Sequence, residues 1–583
     1  MSQTTFRRFA LLGVSAACLG ICGCRSGATT PPAAGTPAGA PEKPRLTTAP
    51  PQNLPLDPVA GRIRSLVASG RVAKLDRPGF ASYRTQLDQL YAPGAYAPLW
   101  VDRSGGPTAL ARTAIRALLT APTEGLDSTD YSAHRLERLA DTPAAGSRDR
   151  QSVGVFDLAL SVAFLRYVTD LHAGRVDPRT LGFKFDLPAD RHDIPSVVRA
   201  AIEDGRLEEM IEELRPALTL YRRLQQVLVQ YQALPPDGPD DLLPPARTSI
   251  RPGDHYVGMV RLRRRLTKLG DLPAGRAPPS DSAPYTGELV EAIKRFQARH
   301  GLEPDGVLGR GTLAALNVPI SHRIDQLAIS LERLRWLPDL STGRQIVVNI
   351  PTYRLWAWDS LGTGGKPTLE MNVIVGKSLD TQTPVFAEEM KYLIFRPYWN
   401  VPTSILRKEM LPRLRKDPSY LERNDLEMVR GQGDDARPMA ATPGNIELLG
   451  QGRLRVRQRP GPRNSLGLVK FIFPNDDDVY LHSTPAEELF NRTRRDFSHG
   501  CVRVEKPVEL AEWALRDVGG WDRARIVAAM NGGSPLQVNL ARPIPVLMFY
   551  STAIVLQDGT PQFFEDVYGH DTRLLRTLHQ ARR

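Results

Sequence analysis

Cysteine is scarce in this chain and unevenly placed. The 583 residues contain four cysteines, and three of them, Cys18, Cys22 and Cys24, fall within the first 24 positions. The fourth, Cys501, is the single thiol of the remaining sequence. This count excludes a disulfide-stapled fold and a cysteine-rich zinc module. A lone thiol in a protein of this size is either incidental or a nucleophile, and its neighbours decide which.

Long hydrophobic runs and an excess of acidic residues are also lacking. Beyond residue 25 no segment reaches the roughly 20 uninterrupted apolar residues that a membrane span needs. The formal net charge is +12 and the pI is about 9.6. A basic protein favours polyanionic partners, which include nucleic acid, an anionic membrane and a carboxylate-rich wall polymer.

The N-terminus narrows this choice. Arg7 and Arg8 precede an apolar run over residues 9–21, which is the pattern of a secretory signal over residues 1–24. The run ends in Ile-Cys-Gly-Cys and resembles a bacterial lipoprotein box with Cys24 as the lipidated residue. Ordinary cleavage nearby without a lipid is the alternative. We expect the periplasmic side of a Gram-negative envelope, with attachment to the outer or inner membrane through Cys24, and no nucleic acid as partner.

The N-terminal half is predicted to be helical. Residues 25–56 are rich in Pro, Ala, Gly and Thr, so we expect a flexible linker. Good helix formers, punctuated by Pro and Gly, dominate residues 57–250 and predict a mainly helical scaffold domain. No cluster of His, Cys or carboxylates with metal-binding or acid–base character occurs in this scaffold sequence.

Residues 254–318 form a small unit with a signature of their own. An Ala-Ile-Lys-Arg-Phe-Gln run, an Asp-Gly turn and a terminal Thr-Leu-Ala-Ala-Leu predict three short helices. This unit resembles the type-1 peptidoglycan-binding domain. The resemblance implies wall binding, although domains of this kind also serve as structural spacers.

Strand-like sequence begins near residue 342. Alternating or β-branched runs predict a mostly-β domain over residues 342–535, with a polar insertion at about 402–463. Residues 536–583 are expected to be a C-terminal extension packed on this domain. The predicted fold class is therefore multidomain α+β: a helical scaffold, a small three-helix domain and a mostly-β domain with an insertion.

Two segments of the β domain carry the candidate chemistry. His482 ends one predicted strand, and Cys501 begins another within the run Ser-His-Gly-Cys-Val-Arg at residues 498–503. A histidine activates a thiol because its pKa lies near neutrality. Gly500 permits close approach of a carbonyl to backbone N–H groups that can hold an oxyanion. The guanidinium of Arg503 could bind a carboxylate of the substrate.

The same residues could also have purely structural roles. Cys501 could be a small core residue, and Arg503 a solvated charge. His499 could simply hydrogen-bond within its loop. A zinc site built from His482, His499 and Cys501 lacks a fourth ligand, so no metal and no cofactor are expected.

The motif at residues 498–503, with the upstream His482, resembles the signature of the L,D-transpeptidases, which have a YkuD-type catalytic fold. Further resemblance to the large multidomain branch of this family is carried by residues 98–100, 124–126, 171–178, 395–402, 545–553 and 558–569. Together these segments extend over nearly everything after residue 57. In that branch the insertion at 402–463 is a capping subdomain over the donor cleft.

The resemblance implies a role for each matching residue. Cys501 is the nucleophile, His482 the general base, Ser483 the backbone carbonyl that orients His482, and Gly500 part of the oxyanion region. The substrate-binding residues implied are Arg503, His499 and Tyr480. Cys501 would attack the donor tetrapeptide between its third residue and D-Ala. A thioester would form, and the amine of an acceptor stem peptide would resolve it into a 3–3 cross-link.

Other outcomes of the same thioester remain open. Water as the acceptor would make the protein an L,D-carboxypeptidase, and a lipoprotein lysine would make it an attachment enzyme. A non-catalytic wall-binding protein is a further alternative, which the intact His482, Gly500, Cys501 and Arg503 disfavour.

Overall fold

The structure is a computed structural model. It describes residues 58–70, 83–141, 150–185, 193–274, 280–338, 340, 343–360, 365–379, 381–431, 433 and 436–581. The predicted export signal at 1–24, including Cys24, and the linker at 25–56 lie outside these described residues and stay predictions. The predicted fold class is confirmed, since a helical N-terminal part precedes a mainly β C-terminal part.

Most of the helical part packs around one long central helix, whereas its last helix packs against the core of the β domain. The helices of the helical part are α1 (Pro58–Ser69), α2 (Arg84–Tyr91), α3 (Ala109–Leu119), α4 (Ala133–Asp141), α5 (Arg150–Ala173), α6 (Ile194–Glu203), α7 (Leu207–Leu214) and α8 (Thr219–Gln232). Within α5, Ser152–Ala173 is long and apolar enough to cross a membrane by length and composition. Of its most apolar window, 83% is buried inside the protein, so packing against the other helices accounts for this composition.

A small three-helix unit follows. It consists of α9 (Met259–Lys268), α10 (Glu288–Arg299) and α11 (Arg310–Leu316). Leu289, Ala292, Ile293 and Phe296 lie on one face of α10 and are buried in its core, as their helical spacing predicts.

Helix α12 (Ile320–Leu334) connects this unit to the β domain and is buried on nearly every side. Glu332 Oε2 lies 3.2 Å from Arg175 Nε of the scaffold and 3.1 Å from Arg335 Nη1. Arg333 Nη1 lies 2.6 Å from a carboxylate oxygen of Asp571 near the C-terminus. These buried ion pairs tie the scaffold, the connecting helix and the C-terminal segment into one body.

Among the described residues, the main sheet of the β domain has nine strands. In chain order the strands of the whole region are β1 (Gln345–Asn349), β2 (Arg354–Trp358), β3 (Leu369–Gly376), β4 (Phe386–Phe395), β5 (Trp399–Asn400), β6 (Leu426–Arg430), β7 (Arg437–Met439), β8 (Arg455–Gln458), β9 (Val469–Ile472), β10 (Leu481–His482), β11 (Asp496–Ser498), β12 (Val502–Val504), β13 (Leu536–Phe549), β14 (Ala553–Val555) and β15 (Pro561–Phe563).

The main sheet is rolled into a ring. Its order is β11-β3-β12-β10-β9-β4-β13-β1-β2, and β2 also pairs with β3, so the sheet closes on itself. Strand β10 pairs in parallel with β12 and antiparallel with β9. This places the two predicted catalytic segments on neighbouring strands in the middle of the sheet.

The insertion forms a separate small layer. Strands β5, β8, β6 and β7 make a four-stranded sheet, which packs with helical segments around its own hydrophobic core. These helical segments are α13 (Thr403–Ile405), a π-helical turn (Leu406–Met410), α14 (Leu411–Lys416), α15 (Tyr420–Arg423) and α16 (Pro443–Gly450).

The C-terminal segment, expected to be an extension packed on the β domain, contributes a strand to the main sheet itself. Two helices, α17 (Pro507–Leu515) and α18 (Arg523–Met530), precede β13. Strand β13 lies inside the main sheet, parallel to β1 and antiparallel to β4. The hairpin of β14 and β15 and helix α19 (His570–Ala581) follow. The sequence shows a strand pattern here but not its partners, because pairing across some 200 residues is not a local property.

Candidate active site

The sheet register brings the predicted catalytic residues onto one face. His482 on β10 pairs with Arg503 on β12 and with Lys470 on β9. Leu481 and Val502, on the opposite face, are fully buried in the core. Because side chains alternate along a strand, Lys470, His482 and Arg503 share the face turned away from this core.

Cys501 lies immediately before β12. The register extended by one residue places it beside Tyr480, and the Val502 N–H donates to the Tyr480 carbonyl at 3.1 Å. Strand spacing and rise put the Cα atoms of Cys501 and His482 about 8 Å apart on the diagonal, within reach of their side chains. The Cys501 S–H donates to the Asp478 carbonyl at 3.7 Å. Among the described residues no hydrogen bond joins Cys501 to His482.

His482 is held by the residue that follows it. Its side chain is buried, and Nδ1 lies 2.6 Å from the carbonyl oxygen of Ser483. A carbonyl can only accept, so Nδ1 carries the proton and Nε2 is the free acceptor. Burial lowers the pKa of His482 to about 3, and the positive charge of Arg503 contributes. The imidazole is therefore neutral at physiological pH.

The Ser483 side chain fixes the backbone around this carbonyl. Its hydroxyl accepts the N–H of Leu468 at 2.6 Å and that of Val469 at 3.1 Å. Gly467 has a φ of +63°, and a Cβ there would lie 2.2 Å from Ser483 Oγ. Glycine is thus required at 467 by contact as well as by backbone conformation, a constraint that the sequence did not reveal.

The loop before Cys501 is internally hydrogen-bonded. Ser498 Oγ donates to the Cys501 carbonyl at 2.6 Å and accepts the Gly500 N–H at 3.2 Å. Gly500 has a φ of +117°, which favours glycine. The N–H of this glycine therefore already has a partner inside the loop.

A second contact holds Gly500 from behind, and sequence reasoning missed it. Thr383 Oγ1 donates to the Gly500 carbonyl at 2.7 Å and accepts the Gly376 N–H at 2.9 Å. The hydroxyl of Tyr568 donates to the Gly376 carbonyl at 2.6 Å and accepts the Thr383 N–H at 3.2 Å. A residue of the C-terminal segment therefore positions the loop that carries Cys501.

The thiol lies among groups that act on it in opposite directions. Burial raises the pKa of Cys501, while interactions with Tyr480 and the charge of Lys470 act the other way. Burial lowers the pKa of Lys470 and raises that of Tyr480 well above its usual value. Lys470 Nζ lies 3.6 Å from the centre of the Tyr480 ring. Lys470 was not predicted, because a lysine in a strand resembles any solvated charge until the register shows its neighbours.

Arg503 and His499 occupy different settings. Burial lowers the pKa of Arg503, its Nε has no hydrogen-bond partner, and the described residues provide no ion pair to it. This leaves a cation available to a ligand. His499 is exposed, and its Nε2 lies 2.9 Å from Oε1 of Glu409 in the insertion. The structure thus places Arg503 with Cys501 and His482, and connects His499 to the insertion.

No group of three or more His, Cys, Asp or Glu side chains in the described part of the chain is arranged to hold a metal ion. The chemistry available at this face is a thiol, a neutral imidazole with one free nitrogen, and two cations. Such a set can carry out nucleophilic acyl transfer on a substrate that bears a carboxylate.

Family models match three parts of this chain. Residues 85–228 match the model of a "Scaffold domain", residues 257–316 that of a "Putative peptidoglycan binding domain", and residues 343–538 that of the "L,D-transpeptidase catalytic domain". A protein of Haemophilus influenzae named "Putative L,D-transpeptidase" is 33% identical over 302 residues, which are 51% of this chain and 59% of that relative. The chain thus spans less than two thirds of the relative's length.

Among solved structures, an L,D-transpeptidase from Xylanimonas cellulosilytica is 15% identical, and the match covers 52% of this chain and all of that one. Its TM-score of 0.17 is too low to support a comparison of geometry. The three family-model matches do not depend on that structure, and they follow one another along the chain in the order scaffold, peptidoglycan-binding and L,D-transpeptidase catalytic domain.

Proposed function

We propose that this protein is a cysteine L,D-transpeptidase that forms 3–3 cross-links between peptidoglycan stem peptides. The observation that carries the proposal is the shared sheet face of Cys501, His482 and Arg503, beside a His482 imidazole whose Nδ1 is held by Ser483. The matched catalytic domain supports the same chemistry.

In the acylation step, His482 Nε2 takes the proton of the Cys501 thiol as sulfur attacks the carbonyl carbon between the third residue and D-Ala. The C–N bond then breaks, and the imidazolium returns the proton to the leaving amine of D-Ala. A thioester remains on Cys501. Since thiol and imidazole are both neutral at rest, the proton moves during the attack and not before it.

In the second step, the side-chain amine of another stem peptide attacks the thioester. The C–S bond breaks, an amide forms, and the thiol recovers its proton. We assign the oxyanion site to the N–H groups around Gly500 and Cys501, where one donor is worth about 10²–10³ in rate. The Gly500 N–H already donates to Ser498 Oγ, so we expect the Cys501 N–H to contribute more.

The cations on this face would bind the substrate's carboxylates. Arg503 has no ion-pair partner among the described residues and suits a stem-peptide carboxylate. Tyr480 and Lys470 would line the same side of the thiol. We propose that the insertion caps the donor site, with the His499–Glu409 contact as its link to the catalytic loop.

The test is to incubate the protein with disaccharide tetrapeptides and to analyse the products by mass spectrometry, with the Cys501→Ala variant as control. Cross-linked dimers that lack one D-Ala support the proposal. If tripeptide and free D-Ala are the only products, the protein is a carboxypeptidase. Addition of a lipoprotein peptide with a C-terminal lysine tests the third acceptor, since a peptide–tripeptide adduct in place of dimers would identify an attachment enzyme.

The cellular location is part of the proposal. Export to the periplasm and lipidation at Cys24 would place the catalytic domain beside its substrate. Metabolic labelling with a fatty-acid analogue should mark the parent protein and leave the Cys24→Ser variant unlabelled. Equal labelling of the two, or none in either, would contradict the anchor.

A further inference from the structure

A cleft lies apart from Cys501, where four parts of the chain meet. Its volume is about 780 Å³, and it is lined by the peptidoglycan-binding domain, helix α12, the catalytic domain and the C-terminal segment. Leu302, Arg323, Tyr353, Arg492, Arg495 and Phe564 represent these parts. We refer to this cavity as the arginine cleft.

Arg323 is the most buried cation of the cleft. Its side chain is 7% exposed and donates to Gln326 Oε1 at 2.7 Å and to the Ala315 carbonyl at 3.2 Å. Its guanidinium also lies 4.8 Å from the centre of the Phe563 ring. All these partners are neutral, and no carboxylate in the described part of the chain forms an ion pair with it. Burial lowers the pKa of Arg323 to about 9, so it remains a cation at neutral pH.

Arg495, which also lines the cleft, repeats this pattern. Its Nη2 donates to the Tyr353 carbonyl at 3.2 Å and to Asn372 Oδ1 at 3.1 Å. Its Nη1 donates to the carbonyl of Arg492, whose own side chain is exposed at the cleft. Neither arginine forms an ion pair with a carboxylate among the described residues. A partly buried cation without a counter-charge is costly, and an anionic ligand would remove this cost.

Two other arginines of the lining already have carboxylate partners, and the lining also contains the carboxylates of Glu303 and Asp566. Arg354 pairs with Glu370, and Arg494 Nε lies 2.7 Å from Asp496 Oδ1. The acidic lining residue Glu565 lies 3.8 Å from Arg494. The cations left for a ligand are therefore Arg323, Arg492 and Arg495.

The cleft and the catalytic loop are joined by two strands. Asn372 of β3 lines the cleft, and Gly376 at the end of the same strand contacts Thr383 and Tyr568 behind Gly500. Four residues of strand span about 13 Å. Strand β11 runs parallel to β3, and it leads from Asp496, directly after Arg495 of the cleft, to Ser498 in the loop. A polymer with repeated carboxylates could occupy both places at once.

We propose that the arginine cleft is a second substrate subsite, which binds the carboxylates of a peptidoglycan strand whose stem peptide lies at Cys501. The proposal rests on the proposed function for the identity of the polymer. Its physical basis is the set of three arginines that form no ion pair among the described residues, beside the domain that matches a peptidoglycan-binding model. Binding there would orient the strand and raise its local concentration at the thiol.

The test measures binding of the full chain to purified sacculi by sedimentation, in a Cys501→Ala background that prevents turnover. We expect the Arg492→Gln/Arg495→Gln double variant to bind about tenfold more weakly, because charge-assisted hydrogen bonds are lost. The matched control is Arg576→Gln on the exposed side of α19, which should bind as the parent does. Sacculi with amidated carboxylates should bind the parent and the double variant equally weakly.

Equal binding of the parent and the double variant to native sacculi would overturn the proposal, as would undiminished binding of the parent to amidated sacculi. Arg323→Gln is a further variant, and its sacculus binding is interpreted only if its thermal unfolding matches that of the parent. Hydrogen exchange with soluble muropeptides provides a readout that does not depend on substitution. Protection of residues 491–495 is expected, and unchanged exchange there contradicts the subsite.

The two proposals fail separately. If no thioester forms on Cys501 while sacculus binding depends on the arginines, the proposed function is wrong and the cleft is an anion site of a wall-binding protein. If the thioester forms while sacculus binding is unchanged by the arginine substitutions, only the assignment of the cleft is wrong.

Discussion

The carbonyl oxygen of Ser483 lies 2.6 Å from Nδ1 of the adjacent His482 and so determines which imidazole nitrogen carries the proton. The hydroxyl of the same serine accepts two backbone N–H groups from the neighbouring strand segment. Ser483 thus holds both the imidazole and the backbone beneath it. A neutral imidazole with Nε2 free is the form that a base for Cys501 requires.

Replacing His482 should remove the base with little change in the sheet. We expect His482→Gln to lower the rate of Cys501 acylation by about 10²–10⁴, the usual contribution of general-base catalysis. The acylation rate is measured by quenching the reaction at a series of times and analysing the intact protein by mass spectrometry. His579→Gln, at an exposed position of α19, is the control and should react like the parent. Parent-like acylation of His482→Gln would mean that another group activates the thiol.

The reactivity of Cys501 should report a neutral resting thiol. Burial raises the pKa of this thiol, so alkylation by iodoacetamide should be slow at pH 7 and increase with pH beyond the usual range for a free cysteine. Rates measured by mass spectrometry between pH 5 and pH 10 test this. Fast alkylation on a plateau down to pH 5 would instead indicate a thiolate–imidazolium pair.

Acid should destabilise the catalytic domain through His482. The pKa of His482 is about 3 in the folded state and about 6.5 when unfolded, so the unfolded state binds the additional proton as pH falls. Its contribution is therefore fully present above about pH 6.5 and lost progressively toward pH 3, on the order of 5 kcal/mol at the acid limit. Denaturant unfolding at several pH values should show a shallower acid slope for His482→Gln. An identical slope in both proteins would contradict the assignment.

Tyr568 should affect the active site from the C-terminal segment. Tyr568→Phe removes the hydroxyl that bonds Gly376 and Thr383, so we expect a loss of about 1–2 kcal/mol in unfolding free energy. Acylation of Cys501 should slow as well, because Thr383 holds the Gly500 carbonyl. Tyr392→Phe on β4 is the matched control, with acylation expected to be unchanged. If Tyr568→Phe loses stability without slowing acylation, Tyr568 is structural and does not position the loop.

Local patterns predicted much of the fold. The helix formers of residues 57–250 lie in α1 to α8, and the strand-like sequence that begins near residue 342 lies in β1 to β4. Hydrophobic alternation and helix breakers are local properties, so they are readable in one sequence. The candidate catalytic residues were also predictable from local sequence. His482 ends the short strand β10, and Cys501 directly precedes β12.

Contacts between distant segments were not predictable. Tyr568 meets Thr383, and Glu409 meets His499, across long stretches of chain. The position of Lys470 beside His482 follows from the register of β9 and β10, which the sequence alone does not give. The position of β13 inside the sheet has the same origin, because strand partners are chosen by the whole domain and not by the strand itself.

The central claim is that Cys501 forms a thioester that a second stem peptide resolves. The most direct measurement is intact-protein mass spectrometry during turnover of a disaccharide tetrapeptide, with product analysis from the same reaction. The account predicts a transient adduct of the disaccharide tripeptide on Cys501, its absence in Cys501→Ala, and dimers linked through their third residues. Dimers formed equally well by Cys501→Ala would contradict it.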